Sequence, residues 1–168
     1  VVNTFMAQIG YILINQDNVC IQPGSRNYKR SWIRDGSLTS AALLRVGRSD
    51  VVRQFLEWYA ERVTPEGLVP PVLNNDGTVN LGFGSNLEFD SQGEFVFAMM
   101  EFYRFTRDKE FLQKHYEKIK HTLHFTSQLR VRTLVPDYMK DEQARERFVG
   151  ILPPSFSHEG YSPPVHSY

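Results

Sequence analysis

Residues 31–38 read SWIRDGSL, setting Trp32, Arg34 and Asp35 directly ahead of an apolar run that ends at Val46. A guanidinium beside a carboxylate at the start of a helix admits two readings. The dipole and free amides of a helix N-terminus favour an aspartate, so capping accounts for Asp35 with Arg34 as its solvated neighbour. Alternatively, the two form the polar floor of a binding site. A second group of carboxylates, Glu88, Asp90 and Glu94, lies in NLEFDSQGEF. Ser91 and Glu94 have the spacing of a capping box, and Asp90 reads as an N-cap or its neighbour, whereas Glu88 has no structural task in the sequence. A third group, His158, Glu159 and Tyr161, stands in SHEGY near the end of the chain.

Other chemistries are poorly served. His115, His121 and His124 lack a Cys or carboxylate to complete a ligand set and are flanked by lysines, so no metal site is expected. GFGSN lacks the lysine and the strand–loop–helix setting of a phosphate-binding loop. With 19 basic and 19 acidic residues the formal net charge is zero, which favours neither nucleic acid nor an anionic membrane surface. No apolar run approaches the roughly 20 residues needed to span a bilayer. A single cysteine excludes an internal disulfide framework.

The elements that must carry these groups are helical. Val1, Phe5, Ile9 and Ile12 recur at helical spacing, and a second helix is expected over about Asp35 to Val46, ended by Gly47. Ser49 or Asp50 is expected to cap a third helix bearing Val52, Phe55, Leu56, Tyr59 and Val63. A fourth opens at DSQGEF and continues in FVFAMMEFYRF, apolar nearly all round, which predicts cover on both sides. A fifth should bury Leu112, Tyr116, Ile119 and Leu123 as one stripe, and KDEQARERF suggests a short polar helix. Strand signal is slight. Short connections (GRSD, TRDK) alternate with long loops over residues 15–35, 64–90 and 150–168, and antiparallel hairpins would gather those long loops on one face. At 168 residues the chain has the length of one domain, yet it starts inside a helical pattern and ends in a loop rich in aromatics and histidine. It is expected to be a piece of a longer protein.

SWIRDGSLTSAALLRVG resembles the segment of glucoamylase-type, six-hairpin glycosidases in which Trp-x-Arg-Asp opens the second barrel helix. NLEFDSQGEFVFAM is similar to the family's next loop-to-helix junction, and GILPPSFSHEGY sits where the family carries its general acid. The resemblance implies an all-α fold of antiparallel helical hairpins. Residues 1–168 would form a single partial domain, the N-terminal half of an (α/α)6 toroid, completed by the remainder of the barrel. It also implies a glycoside hydrolase acting on a glucose-like non-reducing end with two carboxylates and no cofactor. A phosphorylase of the same fold and a non-catalytic carbohydrate-binding module are the alternatives. Arg34 and Asp35 would bind sugar hydroxyls, a donor beside an acceptor, and Trp32 would wall the ring or anchor the core. Glu88, His158 and Tyr161 complete the expected substrate contacts. Glu159 is expected as the general acid. Phe156 and Tyr161 offer apolar surroundings that raise a carboxyl pKa, while pairing with His158 would lower it. The family's acid usually stands in a Trp-Glu-Glu setting, from which SHEGY departs. Its catalytic base lies downstream of this chain.

Overall fold

The computed structural model describes residues 1–80, 87–134 and 149–155. Five α-helices dominate: α1 (Val2–Ile14), α2 (Ile33–Arg45), α3 (Ser49–Ala60), α4 (Asp90–Thr106) and α5 (Lys109–Val131). Two short strands, β1 (Ser31–Trp32) and β2 (Val72–Leu73), pair antiparallel with Ser31 opposite Leu73 and Trp32 opposite Val72. The fold is all-α, built on helix–helix packing. None of the described helices is long and apolar enough to cross a membrane.

Tight turns make two hairpins. After α2, Gly47 takes a positive φ of 79° while its N–H and that of Arg48 bond back to the carbonyls of Leu44 and Leu43. This αL ending closes the helix and releases the chain straight into α3. At the α4–α5 connection, Arg107 is left-handed (φ 57°) and Asp108 caps α5 by accepting from the Phe111 N–H at 2.8 Å. The far ends of each hairpin also meet. Pro70, by its carbonyl, accepts from the Tyr59 hydroxyl in the last turn of α3, while Pro71 accepts from the Ile33 N–H that opens α2. So α2 and α3 run antiparallel. Thr126, late in α5, lines one cleft with Asp90 and Gly93 at the start of α4, which makes that pair antiparallel too.

The hairpins stand side by side in matched orientation. Arg34 reaches Asp90, Ser37 reaches Glu94 and Arg45 reaches Glu101, at sequence separations of 56, 57 and 56. A constant offset means that α2 and α4 run parallel and in register. The same holds for α3 and α5, where Arg53 pairs with Asp108 and Glu57 with Lys114, at separations of 55 and 57. Between the four helices lie Leu43, Phe55, Leu56, Tyr59, Phe95, Met99, Phe102 and Phe111. Gly36 permits the closest approach, since a Cβ there would lie 2.4 Å from Cζ of Phe55.

Several local expectations are corrected. Helix α2 starts at Ile33, two residues early, because its first N–H is held by Pro71. Neither Ser49 nor Asp50 caps α3: Arg48 is the N-cap residue, with no side-chain cap bond, and Asp50 pairs with Arg48. Val63 is buried, but beyond the end of α3. Helix α4 packs against α2, α3 and α5 but is not covered all round: Phe97 and Phe105 stay exposed. The buried stripe of α5 is Phe111, His115, Ile119, Thr122 and Leu129: Ile119 is buried as expected and Leu112 packs partly buried against the core, but Tyr116 and Leu123 give way to His115 and Thr122, each one residue earlier. Tyr116 and Leu123 are 55% and 53% exposed, because α4 presents Phe102 to Phe111, ring centroids 4.4 Å apart, and fixes the rotation of α5. KDEQARERF lies outside the described residues.

His115 consequently enters the core at 4% exposure, its ring 4.7 Å from that of Phe111, with neither nitrogen hydrogen-bonded among the described residues. Burial above all, and then the neighbouring Lys114 ammonium, hold its pKa below the ordinary value of 6.5. The folded state therefore binds fewer protons than the unfolded one just below that value. The stability contributed by the neutral imidazole is full above pH 6.5 and falls as pH drops through the window between the ordinary pKa and the depressed one. Thermal melts of the parent should shift downward from pH 8 to pH 5 more steeply than those of His115→Leu. Equal slopes would remove His115 from the acid response.

Candidate active site

Helices α2 and α4 begin at the same end of the molecule, and their first turns carry the polar cluster. Arg34 sits in the first turn of α2, half-buried, and its fork reaches across to the start of α4. Its Nε donates to Asp90 at 2.6 Å and its Nη2 to Glu88 at 2.9 Å. Glu88 is 3% exposed and Asp90 half-buried, at 12%. Two carboxylates on one guanidinium leave a net negative charge inside the trio. The positive ends of the two parallel helices, each equivalent to roughly half an elementary charge, converge on the same place and offset it.

Asp35 is half-buried in the first turn of α2 and is not its N-cap; that position belongs to Trp32. Trp32 is buried by pairing with β2, and its ring is flanked by the Arg30 guanidinium (5.0 Å) and the Tyr28 ring (6.0 Å). It stands outside the main hydrophobic cluster. The capping box expected at α4 is not formed. Phe89 is the N-cap residue with no side-chain cap bond, Ser91 is buried in the first turn, and Glu94 instead accepts from the Ser37 hydroxyl of α2 at 2.5 Å. Glu94 and Asp90, one turn apart, line a cleft of about 450 Å³ whose walls are Leu38, Phe89, Phe97 and Leu152. A volume of that size falls in the range of small-molecule pockets, and carboxylates set among apolar walls are a common way to orient a polar ligand.

The structure thus joins Arg34 and Glu88, with Trp32 and Asp35 on the same helix start. His158, Glu159 and Tyr161 lie outside the described residues. Among the described residues, no group of three His, Cys, Asp or Glu side chains is arranged to hold a metal ion. Sequence reasoning missed the second carboxylate on Arg34 and the Ser37–Glu94 bond. The available signal was the separation of about 57 residues between two similar helix starts, which marks a repeated hairpin unit.

Replacing Arg34 by Met should strand the buried Glu88 and the half-buried Asp90 without their counter-charge. The expected loss is about 3 kcal/mol or more, read as a drop in the denaturant midpoint. Adding Glu88→Gln and Asp90→Asn should restore much of it, since an uncharged set needs no guanidinium. A triple variant no more stable than Arg34→Met would show that the cluster contributes by packing alone.

No family model matches this chain, and no solved structure matches it. A curated protein does: the chain is similar to Trehalase 1 of Sulfolobus acidocaldarius, at 28% identity over 58% of this chain and 22% of that protein. The chain therefore corresponds to about a fifth of the length of the relative it matches.

Proposed function

We propose that the intact protein is a glycoside hydrolase of the glucoamylase-like, six-hairpin type, and that this chain supplies neighbouring hairpins of its (α/α)6 barrel. The observation that carries the reading is the pair of parallel helices α2 and α4, whose starts are joined through Arg34, Glu88 and Asp90. Similarity to a trehalase supports it. So do the apolar side chains left exposed on α1, among them Val2, Phe5, Met6 and Ile14, and on Leu38 and Phe97, which further hairpins would cover.

In this reading Arg34 donates to, and Asp35 accepts from, adjacent hydroxyls of a non-reducing glucose unit. Glu88 and Asp90 hold the guanidinium in place. The glycosidic transition state is oxocarbenium-like and so carries positive charge. Two carboxylates (Glu88 and Asp90) share the Arg34 guanidinium, with Asp35 in the first turn of α2 and Glu94 one turn beyond Asp90 in α4, an excess of acidic groups that suits such a cation. Glu159 protonates the departing oxygen, and a second carboxylate from the rest of the protein completes the pair. No cofactor takes part.

Three measurements test this on the intact protein. Glucose release from trehalose or another glucoside should be detectable; release that requires inorganic phosphate would make the enzyme a phosphorylase, and sugar binding without release would make it a binding module. Asp35→Asn should lower kcat/KM by about 2–3 kcal/mol, near a hundredfold, without moving the unfolding midpoint. A lower midpoint with normal turnover would assign Asp35 to the helix alone. Glu159→Gln should nearly abolish cleavage of a poor leaving group yet largely spare a glycosyl fluoride, which needs no protonation. Full activity of the variant on the natural glycoside would exclude Glu159.

A further inference from the structure

Gln92, in the first turn of α4, is fully buried at 0% exposure. A leucine would fill similar space without desolvating an amide, so both polar ends of Gln92 need a partner. They have one each. Its NH2 donates to the Phe89 carbonyl at 2.7 Å, and its oxygen accepts from the Val69 N–H at 3.2 Å. The two partners belong to different parts of the fold. Val69 opens the strap of residues 69–73 that runs through Pro70 and Pro71 into β2, whereas Phe89 stands between Glu88 and Asp90.

These bonds complete a ring. Arg34 holds Glu88 and Asp90 through its fork. Its neighbour Ile33 donates its N–H to the Pro71 carbonyl at 3.1 Å, two residues along the strap from Val69. From Val69 the side chain of Gln92 leads to Phe89, and so back to the two carboxylates. One side of the ring is made of ion pairs and the other of neutral hydrogen bonds, and both join the start of α2 to the start of α4. The neutral side is the stiffer one. Pro70 accepts from the Tyr59 hydroxyl at 2.7 Å, and Val72 and Leu73 pair with Trp32 and Ser31. The ionic side depends on one long arginine side chain.

We propose that Gln92 is a positioning residue for the Arg34 cluster: by tying the turn of Glu88, Phe89 and Asp90 to the strap, it sets where the two carboxylates hold the guanidinium. Its effect on turnover rests on the hydrolase reading; its effect on the guanidinium does not. Groups that grip a transition state must be held within a fraction of an ångström, and buried side chains behind them supply that precision. Gln92 does not line the cleft beside Asp90 and Glu94, so it acts through its neighbours and not on a ligand.

Two variants of the intact protein test this, assayed on a glucoside well below their unfolding midpoints. Gln92→Leu keeps the volume and removes both bonds, and kcat/KM should fall about tenfold or more. Gln92→Glu should respond to pH as the parent does not. Protonated, the new carboxyl donates to Phe89 and accepts from Val69; ionised, it only accepts, and the Phe89 carbonyl repels it. Burial raises the pKa of such a group, so the ratio of variant to parent activity should be highest at low pH and decline as pH rises. A glutamine that only braced the fold would lower the midpoint and leave turnover of the folded variants unchanged. Parental kcat/KM in folded Gln92→Leu, or a ratio for Gln92→Glu that is flat with pH, would therefore overturn the proposal. If Gln92→Leu does not fold, the pH series of Gln92→Glu decides. Absence of sugar release by the parent would overturn the hydrolase reading alone. The readout is then the Arg34 Nε–H, followed by nuclear magnetic resonance with isotope-labelled arginine and assigned by its loss in Arg34→Lys. It should exchange with solvent at least about tenfold faster in Gln92→Leu, or in Gln92→Glu at high pH, than in the parent. An unchanged rate would overturn the positioning role.

Discussion

One guanidinium shared by a buried and a half-buried carboxylate sets the geometry of this molecule. Arg34 belongs to one helical hairpin, Glu88 and Asp90 to the start of the next, and their bonds tie two helix N-termini together at a single depth. Because charges removed from water tolerate little mismatch, the register of α2 against α4 is fixed there. The Ser37–Glu94 bond one turn along and the Arg45–Glu101 pair near the far end then repeat the same offset. Parallel alignment of α2 and α4 is matched by the same relation between α3 and α5.

That alignment concentrates charge. Parallel helices add their dipoles where antiparallel ones would cancel, so the end bearing Arg34 and Asp35 presents two sets of free backbone amides to the carboxylates gathered there. The opposite end has short turns and side chains that only brace the fold, among them the left-handed Arg107 and the Asp108 cap. The two ends therefore differ in character along the helix axis: tight connections and braces at one, long connections and the Arg34 cluster at the other.

The segment between α3 and β2 makes the separation possible. Val69 to Leu73 crosses the top of the first hairpin, takes the Tyr59 hydroxyl and the first amide of α2, and pairs with Ser31 and Trp32. Gln92, turned so that both its ends bond, accepts from Val69 N–H at 3.2 Å and donates to Phe89 at 2.7 Å, extending the same strap to α4. A short extended segment among the helices thus holds the starts of both α2 and α4.

The sequence by itself determined the helices, their approximate limits and the residues that cluster at their starts. Periodicity and the Gly47 ending are local properties, and they were read correctly for α2 and α4 to within about two residues. It also singled out Arg34, Asp35 and Glu88, because unlike charges at a helix start are conspicuous in one dimension. Only the tertiary structure decided which carboxylate meets which partner. Glu94 has the spacing of a capping residue, yet an available serine on another helix, 57 positions away, claims it. Only the tertiary structure set the rotation of α5, where Phe102 selects Phe111 and carries His115 inward in place of Tyr116. Two faces of a helix one residue apart have similar hydrophobicity along the chain. The choice between them belongs to the surface against which the helix packs.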